Sequence, residues 1–239
     1  MKKSATGDFS RRALLNYYLP LFFGLYYLSM FITGMLFPTP YDWRLMPISD
    51  LFDVGLNPNG WFIYWRCLIP FGVLHIPLAG YWYRKLQVIG KRTAASGSIL
   101  FSLAGVGWIL LGTFPNVPTN LTIHMISAGV AAIGYYFALL CFWVIMMKDR
   151  LAKYNGKRQF NFRLMNLGTI LAWFSIIGMV SYYLIVPSAQ VEFIEGADLL
   201  AQGYSAIYSF SLWEWIMYTQ FNINIVLLAG MIPETIEPL

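Results

Sequence analysis

Six long apolar stretches constrain the fold of this chain more than any other feature of its sequence. Crossing the hydrocarbon core of a bilayer, which is about 30 Å thick, takes roughly 20 helical residues. The stretches that are long enough lie near 13–36, 61–83, 96–114, 121–147, 165–187 and 207–232. Helices satisfy their own backbone hydrogen bonds in lipid, whereas a membrane barrel would show short segments of alternating polarity. We therefore predict an all-α, polytopic integral membrane protein with six transmembrane helices, in which residues 1–239 form one transmembrane domain.

The composition agrees with this class of protein. Hydrophobic residues make up 58% of the chain and charged residues only 11%, and the mean hydropathy is +0.58. Soluble domains carry about twice that charged fraction, roughly 25%. The composition therefore excludes an ordinary soluble domain.

The basic residues predict the orientation of the chain. Fourteen of the 16 Lys and Arg residues lie in the N-terminal tail, the second–third connection and the fourth–fifth connection, and Arg44 and Arg66 lie elsewhere. Six crossings would place those three segments on one side, which the positive-inside rule makes cytoplasmic. Both termini are therefore predicted to be cytoplasmic. We attribute the net charge of +5 to topology and to contacts with anionic lipid headgroups, and we expect no nucleic-acid partner.

Stripes of small residues predict how the third and fourth helices pack. Such residues let helix backbones approach closely in lipid. In the third helix they are Ser98, Ser102, Gly105 and Gly112, and in the fourth they lie on the stripe His124, Ala128, Ala131, Tyr135 and Ala138. We expect these two stripes to face each other in an antiparallel hairpin.

The first outer loop, residues 37–60, is the longest connection with strong turn chemistry. It contains four prolines and the turn-forming residues Asn57 and Asn59-Gly60. Such residues make rigid turns, and an ordered loop of this length either has a function or serves as a structural cap on the bundle.

Glu214 is the most unusual polar residue, because Trp213-Glu214-Trp215 lies within an apolar helix. A carboxylate in the membrane is costly unless it is paired or protonated. Arg66, at a similar depth in the second helix, is the expected partner. The pair would either fix the bundle or belong to a lipid-headgroup or catalytic site.

Two further polar residues map to the same outer leaflet as Glu214 and Arg66. Asp50 lies in the first outer loop, and His124 begins the fourth helix. Rare polar residues that converge at one depth are typical of a site, so Asp50, Arg66, His124 and Glu214 are the candidate lipid-headgroup pocket. Ser211, Tyr218 and Asn222 recur at helical spacing beside Glu214 and predict a supporting polar seam that faces the interior.

Several kinds of site lack their sequence signals. The two histidines are 49 residues apart, without zinc-site spacing, and no P-loop, dinucleotide or serine-hydrolase fingerprint is present. No lysine lies within a predicted span, which excludes a retinal Schiff base. We therefore expect no metal and no cofactor.

Three short motifs occur in the order and at the spacing of a known family. They are Pro47-Ile48-Ser49-Asp50, the segment Gly107-Trp108 to Phe114 followed by His124 and Ala128-Gly129, and Ser211-Leu212-Trp213-Glu214-Trp215. In these motifs the chain resembles the Frag/DRAM/Sfk family of six-helix membrane proteins, which includes damage-regulated autophagy modulators and GPI-anchor remodelling factors. Leu51-Phe52 replaces the usual Thr-Gly of that family, and a related bacterial and archaeal family of unknown function shares much of the pattern. The resemblance implies a role with lipid anchors or lipid distribution.

The expected function is the handling or sensing of a lipid or glycolipid through an outward-facing polar pocket. In this hypothesis Asp50 and His124 contact the headgroup, Arg66 neutralises a phosphate, and Glu214 orients Arg66 or acts as a base. One alternative is a membrane-embedded lipid hydrolase or transferase that uses His124 and Glu214 as an acid/base pair. Another is a scaffold or complex subunit without catalysis. The expected partners are membrane lipids and, in the last case, another membrane protein.

Overall fold

The computed structural model describes residues 7–152, 160–188 and 209–236, and within these ranges the chain is all-α without a strand. A short 3₁₀-helix, Ile48–Phe52, lies in the first outer loop. The long helices are α1 (Arg11–Met35), α2 (Trp61–Leu111), α3 (Leu121–Ala152), α4 (Phe162–Ser188) and α5 (Phe210–Met231).

Four of these helices are long and apolar enough to cross a membrane, which indicates an integral, multi-pass membrane protein. Their qualifying ranges are Arg11–Met35, Trp61–Leu111, Leu121–Leu151 and Arg163–Tyr182. Among the described residues, α5 does not qualify, because Glu214, Gln220, Asn222 and Asn224 lower its mean hydropathy.

Helix α2 contains two of the six predicted spans, because it folds back on itself. A straight helix of its 51 residues would be about 75 Å long, far more than a bilayer requires. At Gly90 the backbone is extended, with φ −159° and ψ 82°. On either side of this break the arms 61–89 and 91–111 lie antiparallel, and a Cβ atom placed on Gly72 would be 2.5 Å from the carbonyl oxygen of Gly105. The absence of side chains at both glycines allows this backbone contact.

The second arm of α2 also packs antiparallel to α3, as the small residues predicted, but through different positions. A Cβ on Gly107 would lie 2.6 Å from the backbone nitrogen of Ala131, and one on Gly134 would lie 2.8 Å from that of Ala104. Gly105 and Gly112 face the first arm of α2 instead, so the predicted stripe was wrong at these two residues. The second arm therefore lies between the first arm and α3, and its small residues face both of them.

The bundle interior is aromatic and is centred on His75. The His75 ring is fully buried, and its Nδ1 lies 2.9 Å from the carbonyl oxygen of Phe71, while Nε2 pairs with the hydroxyl of Tyr135. The Tyr135 ring stacks on Phe221 of α5 with centroids 4.7 Å apart. These contacts join α2, α3 and α5 around one polar group.

Arg11, Lys85 and Lys148 lie at one end of the bundle. Arg11 donates to the carbonyl oxygen of Gly230 at 2.9 Å, and Lys85 donates to that of Glu234. The Nζ of Lys148 lies 3.8 Å from the Cβ position of Gly90. The start of α1, the turn of α2 and the end of α5 therefore meet at this basic end, and the 3₁₀-helix lies at the opposite end.

Candidate functional site

The 3₁₀-helix Ile48–Phe52 is the centre of the candidate site. Pro47 before the helix and Asp53 after it both have an extended backbone conformation. Its apolar side chains, Ile48, Leu51 and Phe52, are all at most 3% exposed. The turn is thus anchored in the bundle by its apolar side, which fixes the position of Asp50 within it.

Glu214 holds the beginning of this turn. Its Oε2 accepts a hydrogen bond of 2.8 Å from the backbone nitrogen of Ile48, which is the first residue of the 3₁₀-helix. The first backbone N–H groups of a helix have no partner within it, and a carboxylate there is favourable. Glu214 therefore caps the turn from a different helix.

Three more side chains hold the backbone just before the turn. Ser211 Oγ donates to the carbonyl oxygen of Leu45 at 3.0 Å, and Trp215 Nε1 donates to that of Met46 at 3.2 Å. The Tyr41 hydroxyl lies 2.9 Å and 2.7 Å from the carbonyl oxygens of Met46 and Pro47. The segment 45–48 is thus bound at successive residues, which accounts for an ordered loop. We call Tyr41, Ser211, Glu214 and Trp215 the loop clamp.

His124 contacts the other end of the same turn. Its ring centroid lies 5.3 Å from that of Phe52, and its Nδ1 lies 3.3 Å from the carbonyl oxygen of Phe114. A carbonyl oxygen only accepts, so Nδ1 carries the proton in this contact. The side chain is 4% exposed, so His124 packs under the loop at the start of α3.

The structure brings Asp50, His124 and Glu214 around one turn but does not join them directly. Asp50 lies two residues after Ile48, whose backbone nitrogen Glu214 binds. His124 and Glu214 contact opposite ends of a five-residue 3₁₀-helix, which spans about 8 Å. Within the described ranges, no hydrogen bond links the two.

The predicted pairing of Arg66 with Glu214 is wrong for the described part of the chain. Arg66 is exposed there and forms no salt bridge with a described residue, while Glu214 binds the backbone of Ile48. The buried face of this arm is formed by Tyr64, Leu68 and Phe71. Arg66 lies two residues from Tyr64 and two from Leu68, so the 100° turn per residue directs it away from the interior.

The polar seam of α5 lies in the interior. Ser211, Tyr218 and Asn222 are each at most 5% exposed. Asn222 Nδ2 donates to the hydroxyl of Tyr27 on α1 at 3.0 Å, and the Tyr218 ring lies 5.1 Å from that of Trp108. The seam therefore connects α5 to α1 and to the second arm of α2.

An open groove of about 520 Å³ lies beside the loop clamp, between α1 and α5. Several of the side chains that line it are large and exposed: Phe31 is 64% exposed, Met35 71% and Trp43 49%. The groove is lined by Tyr27, Met30, Phe31, Gly34, Met35, Tyr41, Trp43, Leu51 and Trp215. Tyr41 and Trp215 belong to both the clamp and the groove, so the polar loop forms one end of an apolar channel.

The loop beside this groove carries an ion pair on either side of Trp43. Arg44 Nη2 lies 2.7 Å from Asp42 Oδ2, and the two residues flank Trp43. Hydrogen bonds from Arg44 lower the pKa of Asp42, so its carboxylate stays ionised under ordinary conditions. This pair gives the loop both signs of charge at its surface.

Three buried polar groups lie close together behind the loop. They are the hydroxyls of Tyr26 and Tyr64 and the Nε1 of Trp108. The Tyr26 ring lies 6.0 Å from that of Tyr64 and 5.4 Å from that of Trp108. Sequence reasoning missed this cluster, since aromatic residues in a membrane helix are ordinarily apolar packing.

Sequence reasoning also missed Tyr41, Trp43 and Trp215 as site residues. The signal was present in the aromatic pair Tyr41 and Trp43 within a proline-rich outer loop and in Trp215 next to Glu214. Aromatic residues with one polar atom are common where an apolar surface meets water, and these three line the apolar groove next to the polar loop.

A comparison with protein families matches residues 22–229 to a family described as "Protein of unknown function (DUF998)". Comparisons with curated proteins and with solved structures give no significant match. None of the comparisons supports the resemblance to the Frag/DRAM/Sfk family, and the related bacterial and archaeal family of unknown function is the one that matches. The matched range includes most of α1, the loop clamp and nearly all of α5. The chain therefore belongs to the DUF998 family.

Proposed function

We propose that this DUF998 protein binds a membrane lipid at its outer face and thereby handles or senses that lipid. An acyl chain lies in the groove between α1 and α5, and the headgroup lies against the outer loop. The observation that carries the proposal is the continuity of the two, since Tyr41 and Trp215 line the groove and also hold the loop.

The shape and chemistry of the groove support this proposal. Ligand sites are concave, mostly apolar and equipped with a few fixed polar groups, with volumes of about 300–1,000 Å³. The groove has about 520 Å³, and the adjacent loop is fixed by four side chains rather than free to move. A rigid polar wall beside an open apolar channel suits an amphiphile, with Asp50 at the headgroup.

The roles of the predicted pocket residues are adjusted accordingly. We propose that Glu214 positions the loop and that His124 supports its far end. Arg66, which is exposed on the first arm of α2, reaches towards lipid phosphates at the interface, as long basic side chains do near helix ends.

The proposed topology has six crossings with both termini cytoplasmic. It is supported by the two antiparallel arms of α2, by the helical length of α5 and by the gathering of Arg11, Lys85 and Lys148 at one end. Single cysteines at Gly55 and at Lys91, in a chain whose Cys67 and Cys141 are replaced, test it. An impermeant thiol reagent applied to intact cells should label position 55 and not position 91, and the opposite pattern would overturn the orientation.

The lipid proposal is tested by mass spectrometry of lipids that co-purify with the protein. Trp43→Ala removes one wall of the groove and should release most of the bound lipid. Trp173→Ala is the matched control, because Trp173 is 59% exposed on α4 and does not line the groove. Equal lipid retention in the wild type and both variants would contradict the proposal and favour a scaffold.

Headgroup recognition is tested separately from acyl binding. Asp50→Asn keeps the size of the side chain and removes its charge, so it should change which headgroups are retained while the total lipid stays similar. An unchanged headgroup profile in Asp50→Asn and in His124→Ala would restrict the site to the acyl chain.

A further inference from the structure

A second groove lies at the opposite, basic end of the bundle, between α3 and α4. It has about 490 Å³. Its α3 wall is apolar and includes Leu140, Val144 and Leu151, which are 56%, 40% and 74% exposed. The α3 wall of the groove is therefore exposed on the outer surface of the bundle.

The two helices contact each other at two places beside this groove. The hydroxyl of Tyr136 on α3 lies 2.8 Å from Ser175 Oγ on α4. About two helical turns closer to the basic end, the Trp143 ring on α3 lies 2.9 Å from the Cβ position of Gly168 on α4. Trp143 also lines the groove, so it forms its inner limit.

Polar groups stand at the mouth of the groove on both sides. Lys148 and Arg150 come from α3, and Asn166 comes from α4. Lys148 forms no salt bridge with a described residue. The neighbouring acidic residue, Asp149, is 5% exposed and does not line the groove. The mouth therefore presents positive charge next to an apolar channel.

We propose that this groove binds an anionic phospholipid, with the phosphate at Lys148 and an acyl chain along Leu140 and Val144. Charge complementarity selects the occupant, because basic pockets between transmembrane helices attract anionic headgroups. Lysine suits the role, since its long stem lies along apolar surface while the ammonium reaches the headgroup. The site is separate from the outer groove and does not depend on the function proposed there.

The test is native mass spectrometry of the purified protein titrated with phosphatidylglycerol or with phosphatidylcholine of the same acyl chains. We expect tighter binding of phosphatidylglycerol. Lys148→Gln should weaken it about fivefold, as expected for one basic group near a headgroup. Lys91→Gln is the matched control, because Lys91 is exposed at the same end and does not line the groove.

A second pair of variants tests the apolar part of the groove. Val144→Trp fills the channel and should abolish the preference for phosphatidylglycerol, whereas Val180→Trp adds the same bulk to a lipid-facing position outside the groove. An equal loss in Lys148→Gln and Lys91→Gln would overturn the proposal, since it would show a general effect of surface charge. Unchanged binding in Lys148→Gln, or equal affinity for the two lipids in the wild type, would overturn it as well.

Discussion

The close contact between the two arms of α2 makes a sharp prediction for Gly105. A Cβ atom at this position would lie 2.6 Å from the carbonyl oxygen of Gly72 and 2.6 Å from the Cβ of His75. Neither atom is the end of a flexible side chain. The arms would have to separate by about 1 Å before ordinary van der Waals contact returns.

Gly105→Ala should therefore destabilise the protein. Overpacking a close contact costs about 1–3 kcal/mol, and the greater helix propensity of alanine returns about 0.5–1 kcal/mol. We expect a net loss of about 0.5–2 kcal/mol in the free energy of unfolding. For a domain of this size, each kcal/mol corresponds to about 2–4 °C in Tm.

The measurement is thermal unfolding of the detergent-purified protein, followed by fluorescence-detected size exclusion. Gly129→Ala on α3 is the control, because no atom lies within 4 Å of its Cβ position, and its Tm should stay the same or rise slightly. If Gly105→Ala were as stable as Gly129→Ala, the arms of α2 would not approach through Gly72 and Gly105, and the hairpin geometry would be refuted.

Three further substitutions test the loop clamp, the interior and the exposed residue Arg66. Glu214→Ala removes the acceptor of the Ile48 N–H and should cost about 1–3 kcal/mol, with faster proteolysis of the outer loop as the direct measurement. Tyr135→Phe leaves the Nε2 of buried His75 without its partner and should lower the unfolding free energy by a similar amount in the same thermal assay. Arg66→Gln should change stability by less than about 0.5 kcal/mol, and its effect should be additive with that of Glu214→Ala; a coupling above 1 kcal/mol would restore the ion pair.

The relative orientation of Arg66 and Glu214 could not be predicted from the sequence. Hydropathy gives the depth of a residue in a membrane helix, and both residues were placed near the same end of the bundle. Depth carries no information about rotation around the helix axis, which depends on which face the neighbouring helices bury. Tyr64, Leu68 and Phe71 form that face, so Arg66 points outward.

The hydrogen-bond partner of Glu214 in the loop clamp could not be predicted from the sequence either. Glu214 was recognised as a residue that needs a partner, because an unpaired carboxylate in a membrane helix is costly. Its partner is the backbone nitrogen of Ile48, 166 positions away in the chain. A backbone group has no signature in the sequence, so only the tertiary structure identifies it.

The sequence alone determined the class of this protein. Long apolar stretches require helices in lipid, since lipid offers no partners to the backbone, and the all-α architecture follows. The small residues also determined that the third and fourth predicted spans pack antiparallel. The tertiary structure decided which glycines face which helix, how the outer loop is held, and where the two grooves open. These features depend on rotation and on contacts between distant residues, because the lipid-facing and interior surfaces of such a helix are both apolar and hydropathy does not separate them.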